Sequence, residues 1–138
     1  MDDNSIIIEK LRSSGLRPTK QRLEICKLLF DRKKTFHFTI NDISKILKKK
    51  THKRISLATI YNTIHSFKKK GYLKEISVNS EKSYFDTNTS KHHHFLDVTT
   101  NELIDLKKDD VDNIKINKNL PGKKIKSVEV LIKIENSN

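Results

Sequence analysis

The sequence predicts an α+β fold in two parts. Residues 1–88 read as helices closed by a β-hairpin, and residues 89–138 as a small β-rich α/β unit. Three observations carry this reading. Apolar residues recur at three and four as far as Phe67, then alternate at two after Gly71. Glycine and proline fall where helices and strands have to start or stop, at Gly15, Pro18, Gly71, Pro121 and Gly122. Charge divides the chain as well: the first 88 residues hold 20 basic and 9 acidic groups, net +11, and the rest hold 9 and 8, net +1.

Taken in order, Asn4 or Ser5 can start a first helix that runs to Leu11, and Gly15 breaks it. Its Ile6, Ile7, Ile8 and Leu11 need a partner surface. Pro18 fixes the start of a second helix and Thr19 offers a capping hydroxyl. Leu23, Cys26, Leu29 and Phe30, flanked by Ile25 and Leu28, form a wide apolar stripe, the pattern of a helix packed on two sides. A charged turn over residues 31–35 follows. Thr39 and Asp42 have the spacing of a capping box. The helix they open has Ile40, Ile43, Ile46 and Leu47 as its buried stripe. Lys48, Lys49 and Lys50 stand at its carboxyl end, where positive charge suits the dipole.

A short basic connection leads to Ser56, which can cap a fourth helix that Gly71 stops. Leu57, Ile60, Ile64 and Phe67 mark its buried face, and Ala58, Thr59, Tyr61, Asn62, Thr63 and Ser66 its other face. Residues 72–78 then read as a strand, 79–82 as a turn, and 83–86 as the returning strand. Helices followed by such a hairpin make a winged helix, with Lys82 at the wing tip. Residues 87–91 are a polar linker. Residues 94–98 and 102–106 form a second hairpin around 99–101. A weak helix is expected within 107–119 on Val111, Ile114 and Ile116, then a turn at Pro121 and Gly122. A β-rich run over 125–134 puts Val128, Val130 and Ile132 on one face. A three-stranded sheet in so short a segment buries too little surface to stand alone, so a second copy is expected against it, giving a homodimer.

The net charge of +12 on 138 residues suits a polyanion, nucleic acid ahead of an anionic membrane surface. The start lacks a basic leader and no stretch approaches a membrane span, so a cytoplasmic protein is expected. A single cysteine, Cys26, excludes an internal disulfide framework and a thiolate zinc cluster within one chain, and its apolar setting reads as core. The outer face of the fourth helix is small, hydrogen-bonding and free of acid, as entry into a major groove requires. Expected base contacts are Ala58, Thr59 and Asn62 on a double-stranded DNA operator. Expected phosphate contacts are Arg17, Lys20, Tyr61 and the lysines at 68–70, and Lys82 can reach backbone or minor groove.

The histidines suggest a second chemistry. His92, His93 and His94 are three of six. In an extended stretch His92 and His94 share one side and His93 faces the other. With Asp86 and His37 they make a mixed nitrogen and oxygen set that suits iron, manganese or zinc better than calcium. Imidazole also serves haem iron as an axial ligand. Two other functions compete: a small metallohydrolase using these histidines, and an RNA-binding or architectural protein acting by charge alone. The first lacks a second catalytic motif, and a DNA footprint with defined edges would exclude the second.

Four stretches resemble the ferric uptake regulator family, most closely its iron response regulator branch: residues 15–22 (GLRPTKQR), 56–63 (SLATIYNT), 82–88 (KSYFDTN) and 92–95 (HHHF). The resemblance implies a dimeric DNA-binding transcription regulator, often a repressor, of iron and haem homeostasis. It implies that residues 56–67 read the operator. It places an interdomain metal site on His37, Asp86 and His93, with Phe95 at the fourth position. It places a second site on His92, His94 and Asp112, its last position falling near Ile134. The paired cysteines that hold structural zinc in many members fall on Asp97 and Thr100, so that zinc is not expected here. The branch also implies haem binding at the histidine cluster. Its cysteine–proline haem motif is missing, since Lys27 follows Cys26.

Overall fold

The structure is a computed structural model that describes residues 3–138. It divides into two units, Met1–Thr89 and Ser90–Asn138. The first contains α1 (Asp3–Ser13), α2 (Lys20–Phe30), β1 (His37–Phe38), α3 (Ile40–Thr51), α4 (Leu57–Lys70), β2 (Lys74–Ser77) and β3 (Ser83–Asp86). The three strands form one antiparallel sheet in the order β1-β3-β2.

Local chemistry sets the helix ends. The Thr39 hydroxyl accepts from the Asp42 amide at 3.1 Å, and the Asp42 carboxylate accepts from the Thr39 amide at 2.9 Å. Two orphan donors of α3 are thereby satisfied. Ser56 accepts from the Thr59 amide at 3.1 Å, and Thr19 caps α2 through the Arg22 amide. Gly71 ends α4 at φ +92°, the left-handed conformation that glycine takes without a Cβ penalty.

Ile7 and Leu11 of α1 join Ile25, Cys26 and Leu29 of α2, Ile43 and Leu47 of α3, Ile60, Ile64 and Phe67 of α4, and Phe38 and Phe85 of the sheet in one core. The Cys26 thiol lies 3.8 Å from the Ile7 carbonyl oxygen. Burial pushes it up to about 11, against the opposing charge of Lys10. This is a core cysteine held as a thiol.

Ile60, Ile64 and Phe67 of α4 are buried as expected, but Leu57 and Thr63 exchange places. Leu57 is 48% exposed, whereas Thr63 is fully buried. Leu57 is the first residue of the helix, while Ile60, Thr63, Ile64 and Phe67 have the spacing of a single stripe. Thr63 tolerates burial because its hydroxyl donates to the Thr59 carbonyl at 2.7 Å. Ile46 also departs from the expected stripe, at 39% exposure. The strand β1 is unforeseen. Two residues carry no periodicity, and they are extended because Phe38 pairs with Phe85, and His37 with Asp86, on β3. The strand expected over 72–78 is shorter, because the Tyr72 amide is still engaged by the Phe67 carbonyl at the end of α4.

The second unit holds β4 (His94–Asp97), β5 (Glu102–Asp105), a 3-10 turn (Lys108–Asp110) and β6 (Leu131–Ile134). Its sheet order is β5-β4-β6, with β4 antiparallel to β5 and parallel to β6. The helix expected within 107–119 reduces to the 3-10 turn. Val111, Ile114 and Ile116 are too few for an amphipathic stripe. The β-rich run over 125–134 narrows to β6. Leu96, Leu103 and Leu106 are buried, while Ile114, Ile116, Leu120, Ile125, Val128 and Ile132 are exposed. No described helix is long and apolar enough to cross a membrane.

Candidate nucleic-acid interface and metal centre

The exposed side of α4 carries Ala58, Tyr61 and Asn62, with no acidic residue anywhere in the helix. Thr59 is half-buried, its hydroxyl hydrogen-bonded to that of Ser56 at 2.9 Å. Tyr61 is half-exposed and its ring lies on His65 one turn later, centroids 4.1 Å apart. Arg17 and Lys20 are exposed around the start of α2, where the Arg17 carbonyl accepts from Arg22 Nη1 at 3.2 Å. At the wing, Asn79 Oδ1 accepts from the amides of Glu81 and Lys82, each at 2.9 Å, and the Lys82 amine stands 5.2 Å from the centre of the Tyr84 ring. A groove lined in part by Asp42, Tyr61, His65, Glu75 and Lys82 runs between α4 and this hairpin.

Lys68 pairs with Glu75, tying the end of α4 to β2. Burial raises the Glu75 carboxyl. Hydrogen bonds from Lys68 and Ser83, with the charges of Lys68 and His65, outweigh that and leave it below its ordinary value. Of the 68–70 lysine cluster, then, Lys68 is engaged within the protein.

In the second unit, His92 and His94 lie on one side, ring centroids 4.3 Å apart. Asp105, the last residue of β5, faces both. Its Oδ1 is 3.3 Å from His92 Nε2 and 3.1 Å from His94 Nε2. One ligand atom from each of the three falls within 4.8 Å of the others. His92 Nδ1 is 2.7 Å from the Ser90 carbonyl, which can only accept, so Nδ1 is the donor there and Nε2 is the nitrogen turned toward Asp105, the one a metal ion would take. His94 is buried and His92 nearly so. Two imidazole nitrogens and one carboxylate converging from one side match the donor set of a first-row divalent ion.

His93 faces the other way, and its Nδ1 accepts from the Val130 amide at 2.9 Å. Asp112 is exposed beyond the 3-10 turn and outside this group. In the first unit, His37 and Asp86 are register partners on β1 and β3. Asp86 is buried, with Oδ1 accepting from the Asn88 amide at 2.8 Å, and the His37 ring meets Tyr84 edge-on at 6.3 Å. Phe95 points away from the histidine pair, since side chains alternate along β4, and is the register partner of Ile104. The positions of the zinc-binding cysteines do not fit zinc: Asp97 Oδ1 accepts from the Thr99 and Thr100 amides at 2.9 and 3.2 Å, closing the β4–β5 turn with a carboxylate.

Asp105 is the member of this group that sequence reasoning missed, although a signal was present. A hairpin turning at 99–101 pairs Asp97 with Glu102, and counting back three positions puts Asp105 opposite His94.

Comparison with known proteins agrees with this architecture. A profile of the Ferric uptake regulator family matches residues 13–134. The peroxide-responsive repressor PerR of Staphylococcus epidermidis is 34% identical over 107 residues, 78% of this chain and 69% of that one. The peroxide operon regulator of Bacillus subtilis is 32% identical over 107 residues, 78% of this chain and 72% of that one. Among solved structures, the Vibrio cholerae ferric uptake regulator superposes with a TM-score of 0.69 at 19% identity, covering 94% of this chain and 98% of that one. The manganese-bound ferric uptake regulator of Pseudomonas aeruginosa gives 0.66 at 20% identity, covering 96% and 99%. Both share the fold, an N-terminal helical part followed by a β-rich part. On the family profile and the identity to its relatives, the chain belongs to the ferric uptake regulator family, whose members are transcription regulators and not enzymes.

Proposed function

We propose that the protein is a dimeric, metal-responsive repressor of transcription that reads a double-stranded DNA operator with α4 and acts in the cytoplasm. The observation that carries this reading is α4 itself. It is firmly capped, anchored by one buried stripe, and presents small and hydrogen-bonding groups without a carboxylate. It also sits in the part of the chain with a net charge of +11. Ala58, Thr59 and Asn62 are assigned to base edges, and Arg17, Lys20, Tyr61 and Lys82 to phosphates.

The ligand assigned is Fe(II) or Mn(II) at His92, His94 and Asp105, supported by their convergence and by the Ser90 carbonyl that fixes His92. His37 and Asp86 stay in the proposal on the family resemblance. His93, engaged by Val130, is assigned a structural role. A bound iron would supply redox chemistry toward peroxide, which the names of the two relatives suggest as the signal. The protein's part is to hold His92 in one tautomer and to set a carboxylate beside both rings. Haem sensing, and with it the iron response regulator branch, draws no support from these relatives. Three donors converging from one side also suit a bare ion better than haem, whose iron takes protein ligands only axially.

Selection from a random duplex library with the Mn(II)-loaded protein tests the reading. The expected result is a dyad-symmetric site, protected with defined edges and bound with an affinity that falls steeply with salt. Recovery of no preferred sequence would contradict it and favour a charge-only binder.

A further inference from the structure

His65 is assigned no contact with DNA or metal above, yet it links the exposed tyrosine of α4 to the core. The Tyr61 ring rests on the imidazole at 4.1 Å between centroids, tilted by 39°. The imidazole also meets Phe85 edge-on at 5.9 Å, and Phe85 stacks on Phe38 at 6.0 Å, both deeply buried. Four rings therefore run from the surface of α4 to the centre of the first unit, and His65 is the half-buried link between the exposed one and the buried pair. On a bare helix surface, a half-exposed tyrosine would sample several rotamers. Here its neighbour one turn on is itself braced by the sheet.

We infer that His65 is a positioning residue for DNA recognition: it holds the Tyr61 ring in one orientation before the duplex arrives. This rests on the proposed reading of α4. The gain is preorganisation, because a side chain already fixed loses less freedom on binding. Glu75 on β2 and Lys68 on α4 supply the charges around the imidazole, and the pair they form keeps the wing strand beside it. The stack needs a flat ring and not a particular charge, so an aromatic replacement should keep the function.

The test is a double-variant cycle on the full chain, read as affinity for a duplex selected with the wild type. His65→Ala is expected to weaken binding about 3- to 10-fold, the fold-change equivalent of one aromatic pair. His65→Phe is expected to stay within about 2-fold, with thermal midpoints recorded for every variant. In a Tyr61→Ala background, adding His65→Ala is expected to cost nothing further, because the residue acts through Tyr61. Additive losses in the double variant, full binding by His65→Ala, or a His65→Phe variant as weak as His65→Ala would each overturn the inference. If the wild type selects no duplex at all, it is the DNA-binding reading that fails, not the role of His65 within it.

Discussion

Replacing Asp105 by asparagine keeps the shape of the side chain and removes its charge. The carboxylate oxygen it alters is 3.1 and 3.3 Å from the two histidine nitrogens, close enough for one ion to meet all three groups. Losing an outer-shell partner of a metal site costs about 10- to 100-fold in affinity, and losing a direct ligand costs no less. Asp105→Asn should therefore weaken Mn(II) binding by at least about 10-fold, or about 1.4 kcal/mol. Titration of the metal-free protein with Mn(II), followed by the magnetic resonance signal of the free ion, measures this directly. Asp112→Asn is the control, since Asp112 lies exposed and outside the group and should bind like wild type. Acidification should weaken the wild type, because protons compete for the imidazole nitrogens. If Asp105→Asn matches wild type and Asp112→Asn does not, the centre lies elsewhere and the geometry in the second unit has been misread.

Other outcomes follow from the fold. Ile64→Ala should cost about 2–5 kcal/mol of stability while Leu57→Ala stays within about 0.5, read from denaturant melts; a loss for Leu57→Ala as large as that for Ile64→Ala would return Leu57 to the buried stripe expected from the sequence. The Glu75 carboxyl sits below its ordinary value. Its stabilising contribution is therefore present above the carboxyl's unfolded value and is lost as pH falls through the folded one. Lys68→Met should flatten that acid-side loss, and unchanged pH dependence would show the Lys68 pair to be unimportant. Leu120 and Ile125 are 59% and 55% exposed in the second unit. Charging either with glutamate should shift sedimentation from dimer toward monomer, and an unaltered dimer would place the interface elsewhere.

What was legible in the sequence was what local chemistry decides. The caps at Thr19, Thr39 and Ser56, the stop at Gly71 and the strand over 83–86 depend on neighbours a few residues apart. The alternation of His92 and His94 against His93 follows from the extended backbone alone. The rest depended on partners distant in sequence. Counting apolar residues assigned Leu57 to the core and Thr63 to the surface. A threonine bonded to its own helix can be buried, and an apolar residue in the first turn can overhang it. No pattern in two residues could announce β1, which exists because β3 offers it an edge. Asp105 could have been reached only by carrying the hairpin register through to its end.

The central claim is that a metal bound by His92, His94 and Asp105 governs operator binding by α4. Its most direct test is the affinity of one selected duplex for the protein freed of metal, then reloaded with Mn(II), beside a His92→Ala/His94→Ala variant treated identically. Tight binding by the reloaded wild type alone is the expected result, with the metal-free protein and the variant both weak. Equal affinity in all of these states would contradict the claim, leaving a DNA-binding protein whose histidine pair has no part in its control.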